Sequence, residues 1–211
     1  MKIGVLALQG AFAEHLKALR RLGVQGREIR QLSDFTDDLD GIVLPGGEST
    51  VIGKLMENLG LLQPLRQAIH AGLPVFGTCA GMILLAKEVD GSDISYIAAM
   101  DARVRRNAYG RQLGSFGAVA PFAGIGDIPM VFIRAPYIES IWGDAEILAT
   151  VDGRIVAAKQ RHILTTAFHP ELTENTSVHE YFLTMIGQPS TAYPDVFPPP
   201  ADRAGPVLAQ R

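Results

Sequence analysis

Between Lys2 and Val89, short apolar segments alternate with amphipathic ones, and that alternation leaves few folds open. KIGVLAL is apolar at nearly every position, so it reads as a strand buried on both faces. GAFAEHLKALRRLG follows, with Phe12, Leu16, Leu19 and Gly23 along one helical face. VQGREI reads as a second strand and LDGIVLPGG as a third, which stops at Pro45-Gly46-Gly47. STVIGKLMENLG predicts a helix with Ser49 or Thr50 as N-cap and Gly60 as its stop. LLQPLRQAIHAG predicts another, with Pro64 near its start. LPVFGT is the fourth strand and CAGMILLAKEV the next helix. Strand and helix alternating through short joints imply a mainly parallel sheet covered on both faces.

After Val89 the rhythm changes. DARVRRN, SFGAVAPF, MVFIRAP, AEILATVDG, RIVAAKQ and HILTTAFHP read as strands in quick succession, with Asp152-Gly153 as a hairpin turn. Antiparallel strands are therefore expected to extend or flank the parallel sheet. SVHEYFLTMIG closes the pattern as a helix. Residues 188–211 carry six of the 13 prolines and no periodic apolar pattern, so they read as a disordered tail. No P-x-x-P repeat with basic flanks supports a proline-rich ligand instead.

Composition narrows the function classes. A chain of 211 residues suits one domain, and 47% apolar residues allow a large core without disulfides. A net charge of −3 argues against a general nucleic-acid binder, which carries a basic footprint. The single cysteine cannot form an internal disulfide, so a reducing compartment fits. The N-terminus shows no signal-peptide pattern, and no apolar run approaches the roughly 20 residues of a membrane span. The expectation is a soluble cytoplasmic protein.

That cysteine stands in Gly77-Thr78-Cys79-Ala80-Gly81, after an apolar strand and before a helix. A strand that turns sharply into a helix presents its central side chain at the C-terminal edge of the sheet. Glycines two before and two after give the neighbouring chains room, as in the G-x-S-x-G nucleophile elbow. The helix start favours the thiolate, and the Ala80 amide is placed for an oxyanion. A buried structural cysteine is the common fate of a lone thiol, and this motif alone leaves both readings open.

A nucleophilic thiol needs a base. His15, His70 and His179 fall in helix patterns with polar neighbours, where a solvated surface histidine is expected; His162 starts a strand beside Arg161. His169 ends the apolar strand ILTTAF and precedes Pro170 and Glu171. Pro170 favours an extended His169, and residues two apart in an extended segment point the same way. Glu171 can then hold one ring nitrogen while the other faces Cys79. Pro45-Gly46-Gly47-Glu48-Ser49-Thr50 follows another strand, and its glycines can turn amides toward a ligand. It lacks the spacing of a phosphate-binding loop.

PGGEST, GTCAG and FHPE, in that order, resemble the class I, triad-type glutamine amidotransferases. GVLALQGAFAEH, RRNAYGRQLGSF, VFIRAP, GRIVAAKQ and AFHPELTE resemble more closely the glutaminase subunits of pyridoxal phosphate synthases. The resemblance covers residues 1–187. It implies a flavodoxin-like three-layer α/β sandwich, with a mixed, mostly parallel central sheet and added antiparallel strands. It implies hydrolysis of L-glutamine to glutamate and ammonia through a thioester, without metal or cofactor. The ammonia would pass to a (β/α)-barrel synthase subunit, in a family assembly of twelve plus twelve chains. Pyridoxal phosphate is then a product of the complex.

By position, the resemblance makes Cys79 the nucleophile, His169 the general base and acid, and Glu171 the orienting carboxylate. Gly47, Glu48 and Ser49 match the glutamine-binding loop, and Arg106, Ile133 and Arg134 match substrate contacts. Gly47 and Ala80 would form the oxyanion hole, with Gln9 beside it and near the subunit interface. Tyr109 stands where the family often has phenylalanine. Of the run Arg103, Arg105, Arg106 and Arg111, some are expected on a solvated strand face. The competing readings are a glutaminase for another synthase, a catalytically silent docking protein, a cysteine peptidase and a redox sensor. LQG and FIRAP count against the first, and the intact triad against the second. The free subunit is expected to have an incomplete oxyanion hole, with a peptide of the Gly46-Gly47 loop turned away until the partner docks.

Overall fold

The computed structural model describes residues 1–106 and 114–187. Tyr109, Arg111 and the proline-rich stretch 188–211 lie outside the described residues. The first half is built as β1 (Lys2–Leu6), α1 (Phe12–Arg21), β2 (Gln25–Ile29), β3 (Gly41–Leu44), α2 (Ser49–Asn58), α3 (Leu62–Ala71), β4 (Val75–Thr78) and α4 (Ala80–Leu85). Next come β5 (Ala86–Val89), β6 (Met100–Arg105), β7 (Ser115–Phe122), β8 (Gly126–Ile133), β9 (Tyr137–Ile141), β10 (Glu146–Val151), β11 (Arg154–Gln160), β12 (Ile163–Thr166) and α5 (Ser177–Ile186).

One sheet runs β2-β1-β3-β4-β12-β11-β9-β6-β5, with β10 paired to β11, while β7 and β8 form a separate ribbon. From β2 to β12 every pairing is parallel. Antiparallel pairings begin at β11, as the change of rhythm after Val89 implied. Both faces of the parallel part are covered, as β4 shows. All four of its residues are buried. Phe76 meets His15 of α1 and His179 and Phe182 of α5. A Cβ on the next residue, Gly77, would meet Gly81 and Leu85 of α4. Consecutive strand residues point to opposite faces, so α1 and α5 cover one side and α4 the other. Each large aliphatic or aromatic side chain buried there contributes about 1.5–3 kcal/mol. The flavodoxin-like layering inferred from the sequence is the observed one.

Several local expectations differ. The helix after Cys79 stops at Leu85 rather than Val89, and Ala86–Val89 turns into β5 beside β6. β9 was not expected: it follows Pro136 as YIESI and joins β6 to β11. The N-cap of α2 is neither Ser49 nor Thr50. Glu48 takes that place, its carboxylate accepting from the Thr50 and Val51 N–H groups.

Parallel register brings four chain ends to one edge. Thr166 of β12 pairs with Thr78 of β4, so Cys79 and His169 leave the sheet side by side. Leu44 of β3 pairs with Gly77, and β1 pairs with β3, so the loops at 45–48 and 7–11 reach the same edge. Crevices outside the carboxyl ends of such strands are where ligands bind in open α/β sheets.

Candidate active site

Cys79 lies between β4 and α4 at φ 48°, ψ −98°. A non-glycine residue holds such a conformation at a cost of about 1–3 kcal/mol. Its N–H donates to the Thr166 carbonyl at 2.7 Å, tying the turn to β12. The flanking glycines answer to space. A Cβ on Gly77 would lie 2.7 Å from Gly81 C, and one on Gly81 3.0 Å from the Leu44 carbonyl carbon. Cys79 ends up buried, 7% exposed as a residue. Ala80 opens α4, where the first-turn amides lack helical acceptors.

His169 and Glu171 meet as their spacing suggested: His169 Nδ1–H donates to Glu171 Oε1 at 2.7 Å. The route differs. Pro170–Leu172 is a turn of 3-10 helix rather than an extended segment, and it swings the carboxylate back onto the ring. With Nδ1 bound, Nε2 is the nitrogen left for Cys79. Burial alone would push the His169 pKa down. Hydrogen bonds and charge at Cys79 and Glu171 outweigh it and hold the ring up at about 10. Burial would likewise raise Glu171, but His15 and His169 pull its carboxyl below the usual range.

Two histidines expected on the surface are in the core. His15 and His179 are fully buried. The His15 ring lies 3.0 Å from His179 through Nδ1, and 3.1 Å from Thr78 Oγ1 and 3.5 Å from Glu171 Oε2 through Nε2. The signal was present in the sequence: His15 stands three after Phe12 and four before Leu19, on the apolar face of α1. His179 stands three before Phe182 on α5. Burial pushes the His15 pKa down, against the pull of Glu171, and burial with the neighbouring His15 lowers His179 to about 3. His70 remains exposed, and His162 bonds the Ile69 carbonyl.

A cavity of about 380 Å³ opens beside His169, within the range of small-molecule sites. Gly47, Glu48, Ser49, Arg106, Ile133, Arg134 and Gln9 all line it, so residues scattered through the sequence converge there. Arg106 donates to Glu48 Oε1 at 3.3 Å and to Thr50 Oγ1 at 3.4 Å. Burial opposes charge on Glu48, but the Val51 and Thr50 amides and the Arg106 guanidinium outweigh it and keep its pKa low. Arg103 and Arg105 instead pair with Asp90 and Glu139 on the strand face.

The glycine loop is pinned from three sides. The Gly46 N–H donates to Thr78 Oγ1 at 2.9 Å, and the Gly46 carbonyl accepts from Ala11 N–H at 3.0 Å. Gln9 Oε1 accepts from the Glu48 N–H at 2.8 Å. Gly10 has φ +94°, and a Cβ there would press on the Gly46 carbonyl. Among the described residues no helix is long and apolar enough to cross a membrane, and no cluster of metal-ligating side chains is present.

A cysteine at a strand-to-helix elbow, beside a histidine that is held by a carboxylate and lines a cavity, defines an enzyme of thiol acyl-transfer chemistry. Residues 5–188 match the SNO glutamine amidotransferase family, and the chain belongs to that family. It is 58% identical over 188 residues to "Pyridoxal 5'-phosphate synthase subunit PdxT" of Streptococcus pneumoniae (strain CGSP14), covering 88% of this chain and 97% of that protein. The protein of the same name from Haemophilus influenzae (strain PittEE) is 56% identical over 186 residues, 87% of this chain and 97% of the relative. A crystal structure of a glutamine amidotransferase superposes with a TM-score of 0.84 at 42% identity, over 88% of this chain and 99% of that one. Another glutamine amidotransferase, from Thermotoga maritima and 14% identical, shares the fold at a TM-score of 0.59, over 88% of this chain and 84% of that one.

Proposed function

We propose that this chain is the glutaminase subunit of a pyridoxal phosphate synthase, hydrolysing L-glutamine and delivering ammonia to a separate (β/α)-barrel synthase subunit. The observation that carries the reading is the 2.7 Å His169–Glu171 bond beside the Cys79 elbow. Close relatives bearing the synthase-subunit name support it.

In this reading Arg106 takes the α-carboxylate of glutamine, and Glu48 takes the α-ammonium. Ser49, Ile133 and Arg134 complete the walls. His169 Nε2 takes the Cys79 thiol proton, and Sγ attacks the side-chain amide carbon, forming a C–S bond as the carbonyl becomes an oxyanion. The Gly47 and Ala80 amides receive that charge. His169 Nε2–H then protonates the nitrogen, the C–N bond breaks, and ammonia leaves a thioester. Nε2, now bare, takes a proton from water as it adds to the thioester carbon. The tetrahedral intermediate collapses, the C–S bond breaks, Nε2–H returns its proton to Sγ and glutamate departs. Every proton is held by a side chain or by water, so neither metal nor cofactor is required.

The Gly46–Gly47 peptide is held through its carbonyl by Ala11. In a trans peptide the Gly47 N–H points away from Ala11. Docking of the synthase at the Gln9–Ala11 loop would reset this peptide and complete the oxyanion hole, confining hydrolysis to the complex. A cytoplasmic complex of twelve plus twelve chains is the assembly this reading entails.

The test is glutamate release from glutamine with and without the purified synthase, using Cys79→Ala as the blank. Strong stimulation by the synthase, absent in the blank, is expected. Equal activity without it would overturn the gating, and inactivity in both arms would overturn the glutaminase reading.

A further inference from the structure

The triad does not end at Glu171. Its Oε1 accepts from His169, but its Oε2 is buried without a hydrogen-bond partner, and His15 Nε2 lies 3.5 Å from it, within ion-pair reach. His15 is wholly buried, and its other nitrogen lies 3.0 Å from His179 Nε2. Among the described residues, His179 Nδ1 is the other side-chain nitrogen or oxygen buried without a partner. These two orphaned atoms lie at opposite ends of one chain of side chains: Glu171, His15, His179.

Of the four neutral arrangements of the ring protons, two keep the hydrogen bond between His15 and His179. In one, His15 Nδ1–H donates to His179, and His15 Nε2 turns a lone pair toward Glu171 and accepts from Thr78. That satisfies the Thr78 hydroxyl, which already receives the Gly46 N–H. It leaves a buried carboxylate oxygen facing a lone pair, and makes His179 Nδ1–H a buried donor without an acceptor. In the other, His179 Nε2–H donates to His15 Nδ1, and His15 Nε2–H points at Thr78 Oγ1 and Glu171 Oε2. The orphans are then the neutral acceptor at His179 Nδ1 and the Thr78 hydroxyl proton, whose oxygen now accepts from both Gly46 and His15. A buried charge left unsatisfied costs more than a hydroxyl proton or a neutral nitrogen left unsatisfied, so the second arrangement is favoured.

We propose that His15 is a positioning residue of the triad: held by His179, it presents Nε2–H to Glu171 Oε2. It thereby keeps Glu171 ionised and His169 in the tautomer with its proton on Nδ1. Without that donor the carboxyl tends to take the Nδ1 proton, which leaves His169 with its proton on Nε2, unable to serve as base toward the thiol. The charged or titratable groups around His15 are Glu171 and His169 after β12, His179 from α5, and Glu14 on its own helix.

The inference rests on the glutaminase reading, and its experiment separates the two. Steady-state glutamine hydrolysis is compared for the wild-type chain, His15→Phe and His15→Gln, each with the synthase present. For His15→Phe, kcat is expected to fall about tenfold to a hundredfold, the worth of one hydrogen bond to a charged group, with KM within about twofold. His15→Gln, which can still aim an N–H at Glu171, should recover most of the loss. Nitrogen-15 histidine spectra of the wild-type chain read the tautomers without any variant: His15 protonated on Nε2 and His179 on Nε2. A bare Nε2 on His15, or wild-type kcat in His15→Phe, would overturn the proposal, as would equal loss in both variants at equal thermal stability. Should His15→Phe fail to fold, the tautomers and His15→Gln decide. An inactive wild-type chain would instead remove the glutaminase reading, while the tautomer result still judges His15.

Discussion

Gly46→Ala isolates what the glycine loop does for His169, the proposed base. A Cβ built there stands 2.8 Å from His169 Nδ1, closer still to the adjacent Cε1, and 3.3 Å from the Cys79 Cβ. Ordinary contact begins near 3.4 Å, so something must retreat. The loop is backbone, held by Thr78 through its N–H and by Ala11 through its carbonyl, whereas the ring is a side chain that can turn about its own bonds against its hydrogen bonds to Glu171 and Cys79. The ring is therefore the part that moves. A catalytic group misplaced by about 1 Å loses on the order of a hundredfold in rate. Gly46 does not occupy the left-handed region, so alanine meets no backbone strain. The folding cost is that of one overpacked methyl, about 1–3 kcal/mol. At about 2–4 °C per kcal/mol for a chain of this size, the melting temperature drops by about 2–12 °C, so the chain stays folded at assay temperature. The assay is glutamate release with the synthase present, alongside thermal unfolding. Gly117→Ala serves as control, because a Cβ there meets nothing nearer than 4.0 Å. A Gly46→Ala chain within threefold of wild-type kcat would refute the reasoning, because the ring would have tolerated a contact that this packing forbids.

Two further outcomes follow from the charges. Burial lowers the pKa of His15, and lowers that of His179 from 6.5 to about 3, so below about pH 6.5 the unfolded chain binds protons that the fold refuses. Stability should therefore fall with pH by about 1.4 kcal/mol per unit for each such histidine, down to about pH 3 for His179; urea titrations at successive pH values in wild type and His179→Gln would show that residue's share removed, and an unchanged slope would refute the assignment. Arg106→Gln should raise KM for glutamine about tenfold and leave kcat nearly unchanged, because in the proposed binding mode the guanidinium holds the substrate end that does not react; steady-state kinetics showing a kcat loss with KM intact would count against that role.

What could be read from the sequence, and what could not, divides by the range of the contact. The elbow is local: two glycines, a strand before and a helix after are all within GTCAG and its flanks, and the backbone strain at Cys79 is where they predict it. His169 and Glu171 are two apart, so their meeting was legible even though a 3-10 turn makes it. The helix that stops at Leu85 was misread because CAGMILLA is apolar throughout and carries no period; β6, beside which Ala86–Val89 lies, decides the matter. YIESI is too short and too polar to declare itself a strand without the neighbours that pair with it. Glu48 displaces Ser49 as the cap because Arg106, 58 positions away, also holds its carboxylate. His15 and His179 were read as wet because histidine on a helix usually is, yet each stood on an apolar face with Phe12, Leu19 or Phe182. A polar residue on such a face needs a buried partner, and here the partners are one another and Glu171, 156 residues beyond His15. The periodicity therefore held a question rather than an answer: which buried group requires a histidine there. Only the parallel register that brings β4 beside β12 supplies it, because that register puts the Glu171 carboxylate over α1.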